Sequence, residues 1–183
     1  MVKMIRPVVV ALLALTLLPG CGSAAPGPGN VGSGGEPAVD LEPGELEALD
    51  VDNCALLTAA EVTQFAGDEL VVSEDTPLGC AYVEPGETMA QFTVQSYRGG
   101  GDATAAAKAL VANPTEITAL GGVGDDAVAV STHGEVINWV IARKGNLFVV
   151  INQTFLLIEP SSAELGRSGE LAATALGRLV DAV

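Results

Sequence analysis

Three apolar runs stand close together between Asp126 and Thr154, and their spacing limits what the chain can fold into. His133-Gly134 separates the first from the second, and Lys144-Gly145 separates the second from the third. A glycine at each junction tolerates the positive φ of a tight hairpin. Ile137, Trp139 and Ile141 alternate with Val136, Val140 and Ala142, and Leu147 to Ile151 behave likewise, so both faces are apolar. Strands of that kind occupy the centre of a sheet with cover on each side. A C-terminal three-strand meander is therefore expected.

The cover comes from helices. Thr58-Ala59-Ala60-Glu61 fits a capping box, with Leu57 and Val62 placed as a hydrophobic staple and Gly67 as the stop, which predicts a helix from Ala59 to Ala66. Asp102 is placed to cap an Ala-rich helix that runs to Ala112 and ends at Asn113-Pro114. Ser161 and Glu164 suggest a second capping box. Ala172, Ala175, Leu176, Leu179 and Val183 then share one helical stripe, while Gly166 and Gly169 weaken the early turns and place the robust start near Glu170. Further strands are read at Glu69–Ser73, Leu78–Val83 and Thr88–Tyr97, the last with one wet face. The sum is α+β: an antiparallel sheet packed by N-terminal, middle and C-terminal helices.

The start of the chain has a different character. Lys3 and Arg6 precede an uncharged run from Pro7 to Leu18, which is shorter than the about 20 apolar residues a membrane-spanning helix needs. It has the form of a signal-peptide core. Leu18-Pro19-Gly20-Cys21 resembles the bacterial lipobox, which implies cleavage after Gly20 and lipidation of Cys21. Residues 1–20 then read as a lipoprotein signal peptide. Residues 21–52 read as the acylated Cys and a linker, Gly/Pro-rich and then acidic, in which the part from Glu45 has the makings of a short, marginal helix. Residues 53–183 read as one globular domain. The expected location is the extracytoplasmic face of the cell membrane, held by several acyl chains at roughly 0.8 kcal/mol per buried methylene.

Removing residues 1–20 takes two of the eight basic residues and none of the 23 acidic ones, which moves the formal charge from −15 to −17. So negative a surface repels phosphate backbones, and nucleic acid is not an expected partner. Export also decides how the cysteines read. With Cys21 lipidated, Cys54 and Cys80 remain as an even pair on the oxidising side, and a disulfide is expected in preference to two buried thiols.

Several motifs together resemble a family. Asp52-Asn53-Cys54-Ala55-Leu56-Leu57-Thr58 with Glu61, then Gly79-Cys80-Ala81-Tyr82, then Gly122-Val123-Gly124-Asp125-Asp126-Ala127, are similar in order to the actinobacterial lipoproteins grouped as a domain of unknown function. Asn53 stands where that family usually has Pro. The resemblance implies secretion, lipidation and an α+β domain, and it implies no activity.

Catalytic and cofactor signatures point elsewhere when read in context. Gly122-Val123-Gly124-Asp125-Asp126-Ala127 satisfies a dinucleotide-binding pattern in form. Strand-like residues follow it, however, and two carboxylates stand where phosphate would sit, so a turn into the meander is expected. His133 is the sole histidine and is read at a hairpin tip. Asp50, Asp52 and Asn53 do not meet the spacing of a calcium loop. Asp125 and Asp126, adjacent in sequence, should point apart. No catalytic residue, metal site or cofactor is therefore expected. Trp139 is expected in the core beside Ile137 and Ile141, with one wall of an apolar pocket as its functional alternative. The function that follows is a non-catalytic, membrane-anchored binding domain for an envelope protein or a small ligand. A carrier of a lipid or other hydrophobic ligand is the alternative, and a hydrolase is a more distant one.

Overall fold

Thr58 opens the first helix through side-chain bonds within its own turn. Its Oγ1 accepts from the Glu61 N–H at 3.3 Å, and Glu61 Oε2 accepts from the Thr58 N–H at 2.8 Å. This capping box starts α1 (Ala59–Ala66), and Gly67 closes it in the left-handed conformation at φ 86°. Residues 41–76, 79–132, 137–153 and 161–183 are described by the structure, a computed structural model.

Among the described residues, eight strands form one sheet. They are β1 (Leu46–Ala48), β2 (Val71–Thr76), β3 (Gly79–Val83), β4 (Phe92–Gly99), β5 (Glu116–Ala119), β6 (Asp126–Ser131), β7 (Ile137–Lys144) and β8 (Leu147–Asn152). The order across the sheet is β2-β3-β4-β8-β7-β6-β5, all pairs antiparallel, with β1 added beside β4. The expected meander is present as β6-β7-β8, and the short β5 extends it to four strands. Gly145 turns the β7–β8 hairpin at φ 63°. The expected turn at His133-Gly134 lies outside the described residues.

Helices cover both faces. Helix α2 (Ala103–Leu110), capped by Asp102, packs Ala103, Ala106 and Ala107 against Val128, Val130, Ile141, Phe148 and Val150. On the other face, α1 and α3 (Ser162–Ala182) close over the larger core, which contains Leu57, Val62, Tyr82, Phe92, Val140, Ile151, Leu176 and Leu179. Phe92 meets Phe65 and Tyr82 edge-on, with ring centroids 6.1 and 5.7 Å apart.

Several sequence expectations are corrected. The acidic stretch from Glu45 contains a strand in place of a helix. Leu46, Glu47 and Ala48 pair with Gly99, Arg98 and Tyr97, which spreads the carboxylates along an edge and avoids stacking them on one helix. The glycines of β4 and its exit make room: a Cβ on Gly100 would lie 2.0 Å from the Leu41 carbonyl oxygen. Trp139 and Ile137 do not share a face. A register shift between Val130 and Ser131 puts Ile137 opposite Ser131 and Trp139 opposite Val130, so Ile137 joins the α1/α3 core and Trp139 the α2 side. Asn138 holds this bulge from within, its Oδ1 accepting from the Thr132 N–H at 3.1 Å and Oγ1 at 2.9 Å.

The remaining corrections concern α3. It is helical from Ser162, well before Glu170, because Gly169 is buried where a side chain would press on Val123, so tertiary packing there outweighs the residue's low helix propensity. Only half of the second capping box forms: Ser161 Oγ accepts from the Glu164 N–H at 3.2 Å, while the Glu164 carboxylate turns to Arg167. Ala172, Ala175, Leu176 and Leu179 are buried as one stripe, but Val183 lies past the last turn and is 59% exposed.

Candidate functional site

The two cysteines of the folded domain come together at its first turn. Asp52 Oδ1 accepts from the Cys54 N–H at 2.9 Å and caps the short 3-10 turn Asn53–Ala55. This aims Cys54 at β3, where it forms a disulfide with Cys80 across a Cα–Cα distance of 4.9 Å. Asp52 therefore acts as a cap. Tyr82, two residues along β3, donates its hydroxyl to the Leu57 carbonyl at 2.5 Å, so the strand is tied to the turn twice. Burial, reinforced by the nearby charges of Glu61 and Asp52, pushes the Tyr82 hydroxyl up to about 12, so it stays a proton donor.

A charged cluster joins α1 to α3. Arg178 Nη2 donates to Glu61 Oε1 at 2.7 Å, and Nη1 donates to Glu61 Oε2 at 2.8 Å and to the Leu56 carbonyl at 3.0 Å. The arginine, helped by Thr58, holds the Glu61 carboxyl at about 2 against the cost of burial. Nearer the start of α3, Arg167 lies 5.3 Å above the Phe65 ring, donates to the Phe65 carbonyl, and pairs with Glu164 at 3.2 Å. The guanidinium thus serves as a shelf over the aromatic ring with its charge already answered.

Between these contacts lies an open surface groove of about 360 Å³, lined by Glu61, Gln64, Phe65, Arg167, Glu170 and Thr174. A second groove of about 440 Å³ runs along the other flank of α3 and is lined by Leu120, Gly122, Val123, Leu165, Gly166 and Ala173. Glu170 borders both, so α3 forms a ridge between them. A general base works best when its pKa is near the working pH, and Glu61, held at about 2, is a feeble proton acceptor at neutrality.

The Gly122–Ala127 segment is a turn that enters β6, as its sequence context indicated. Gly124 adopts φ 59° against the backbone of Arg143. The two aspartates diverge: Asp125 Oδ2 accepts from the Gly145 N–H at 2.7 Å, while Asp126 bridges Arg143 Nε at 2.5 Å and the Ala103 N–H at 2.6 Å. Asp126 thereby places a negative charge at the start of α2, beside the Asp102 cap. Trp139 is half-buried on the α2 side and borders neither groove. Cys21 and His133 lie outside the described residues. Among the described residues, no group of three His, Cys, Asp or Glu is placed to hold a metal ion, and no helix is long and apolar enough to cross a membrane.

Sequence reasoning found Cys54, Cys80 and the Thr58–Glu61 box but missed the partners of Glu61 and Phe65. The Arg178–Glu61 and Arg167–Phe65 contacts carry no local signal, since each joins residues more than a hundred positions apart. No known family, curated protein or solved structure matches the chain.

Proposed function

We propose that this chain is an exported lipoprotein, cleaved before Cys21 and anchored there, whose folded domain docks a protein partner outside the cytosol without catalysis. The observation that carries the reading is the Cys54–Cys80 bridge, because structural disulfides persist in oxidising compartments. The order of features in the sequence agrees: a charged start, an uncharged run, a lipobox-like Leu18-Pro19-Gly20-Cys21 and a Gly/Pro-rich stretch before the fold. The resemblance to actinobacterial lipoproteins points the same way.

Docking of a protein is favoured over carriage of a lipid by where the space lies. A carrier must enclose its apolar cargo. Here Leu57, Val62, Tyr82, Phe92, Ile151 and Leu179 fill the interior beneath the sheet, and the grooves lie outside it, open to solvent and edged in part by charge. Asp125 and Asp126 are engaged in backbone and arginine bonds, which leaves no free carboxylate pair there for hydrolysis.

Intact-mass analysis of the membrane fraction tests the reading. The expected species begins at Cys21, carries acyl chains, and gains the mass of two hydrogens on reduction. Cys21→Ala should abolish the lipid and the membrane association. A mature N-terminus elsewhere without acyl mass would refute it.

A further inference from the structure

Helices α1 and α3 run in opposite directions past each other. Glu61, early in α1, meets Arg178 late in α3, and Phe65, late in α1, meets Arg167 early in α3. The groove of about 360 Å³ between them is closed at each end by an arginine whose charge is answered. Arg167 pairs with Glu164 at 3.2 Å at one end, and Arg178 holds Glu61 at 2.7 Å at the other. Glu170 lies one turn along α3 from Arg167 and Thr174 one turn farther, a span of about 10 Å. Phe65 and Leu171, only 7% and 8% exposed, form the apolar floor.

The polar groups at the centre of the groove have acceptors to spare. The Glu170 carboxylate and the Gln64 amide are exposed, and neither has a hydrogen-bond or ion-pair partner among the described residues. Thr174 uses its hydroxyl proton on the Glu170 carbonyl at 3.0 Å, which leaves the lone pairs of its oxygen. With Glu164 answering Arg167 and Glu61 answering Arg178, the charge that the groove shows a ligand is that of Glu170. Acceptors around one uncompensated negative charge, over an apolar floor, match a ligand with an aliphatic stem and a donor-only head. That is the chemistry of lysine and arginine.

We propose that this groove takes one lysine or arginine side chain of the protein partner, its stem along Phe65 and Leu171 and its charged head on Glu170, with Gln64 and Thr174 accepting from its remaining N–H groups. Other occupants fit less well. An acidic side chain meets Glu170 as a like charge, and a purely apolar one covers that carboxylate without giving it a partner. A second copy of the chain brings its own strongly acidic surface against this one.

The inference rests on the partner-docking reading and names the residue type that the partner inserts. Its test uses the purified mature chain and two capped peptides, Ala-Leu-Arg-Leu-Ala and Ala-Leu-Gln-Leu-Ala. Backbone amide resonances of Phe65, Glu170 and Thr174 should shift and saturate with the arginine peptide and stay in place with the glutamine one. Glu170→Gln should weaken binding by at least about tenfold, the weight of one charge-assisted hydrogen bond. Thr174→Lys puts a lysine four residues after Glu170, a spacing that supports the helix, and should weaken binding as much by occupying the carboxylate from within. Glu69→Gln alters net charge by the same amount at an exposed position outside the groove and should leave affinity unchanged. Absence of saturable shifts in the groove, equal binding by the glutamine peptide, undiminished binding by Thr174→Lys, or an equal loss in Glu69→Gln would each overturn the proposal. These outcomes leave the anchor at Cys21, and docking at another surface, standing. An unlipidated Cys21 would leave the groove standing.

Discussion

Arg178, on the last helix, grips Glu61, on the first, through two parallel nitrogen–oxygen contacts of 2.7 and 2.8 Å. The same arginine donates to the Leu56 carbonyl, so one side chain ties α3 to α1 and to the turn before it. Exposed ion pairs usually contribute ~0–1 kcal/mol, and this pair is 38% and 32% exposed, so solvent screening reduces its strength. Fork geometry and the added carbonyl bond raise it again. Arg178→Met should cost about 1–2 kcal/mol in chemical denaturation, because it also strands the Leu56 carbonyl. Arg178→Lys, which keeps the charge and loses the fork, should fall between the two.

The same contact makes stability depend on pH. Glu61 titrates from 4.5 in the open chain to about 2 in the folded one, so its carboxylate is favoured in the native state. A depressed carboxyl pKa contributes stability that is complete above the unfolded value and is lost as pH falls through the folded one. The contribution of Glu61 should therefore fade between about pH 5 and pH 2. Glu61→Gln should flatten the slope of stability against pH in that window, where wild type takes up about one proton more per unfolding event. Parallel slopes for the two proteins would remove Glu61 as the cause.

How much of this was legible in the sequence depends on how local each signal is. Helix α1 could be placed to the residue because its cap, staple and stop all lie within Leu57–Gly67. The meander could be read because its runs are long, apolar and separated by glycine. Strand β1 was hidden by its acidic composition, and only the bare backbone at Gly99 and Gly100, far along the chain, makes its pairing possible. Strand β5 spans four residues, too few for alternation to stand out. The bulge at Asn138 breaks the period that assigned faces to Ile137 and Trp139. Of the site, the cysteine pair was countable. The α1–α3 cluster was not, since Glu61 and Arg178 are 117 positions apart and meet only through the fold.

Reduction tests the disulfide's share of stability. The bridge joins residues separated by 26 positions, and chain entropy for a loop of that size gives about 3.5 kcal/mol. Cys54→Ser with Cys80→Ser should lower the denaturation free energy by about 2–4 kcal/mol. Mild reductant should lower the melting temperature of the wild type and leave the double variant unmoved. Alkylation of the native protein should find neither thiol free.

Glycines at two places should respond in opposite senses to one added methyl. Gly124 holds φ 59°, and a Cβ there would lie 2.2 Å from the Arg143 carbonyl oxygen, which is backbone and cannot swing aside. Gly124→Ala must distort the entry to β6, where Asp125 and Asp126 make their bonds to Gly145, Arg143 and Ala103. A loss of more than about 2 kcal/mol is expected, since positive φ and backbone overlap act together. Gly177 lies inside α3 with nothing within 4 Å of an added Cβ, and its backbone is helical. Gly177→Ala narrows the open chain's freedom without straining the folded one, and it should stabilise by about 0.4–1 kcal/mol. Denaturation midpoints of the two variants should move to opposite sides of wild type. A Gly124→Ala protein as stable as wild type would mean that the turn into β6 has a different backbone from the one described.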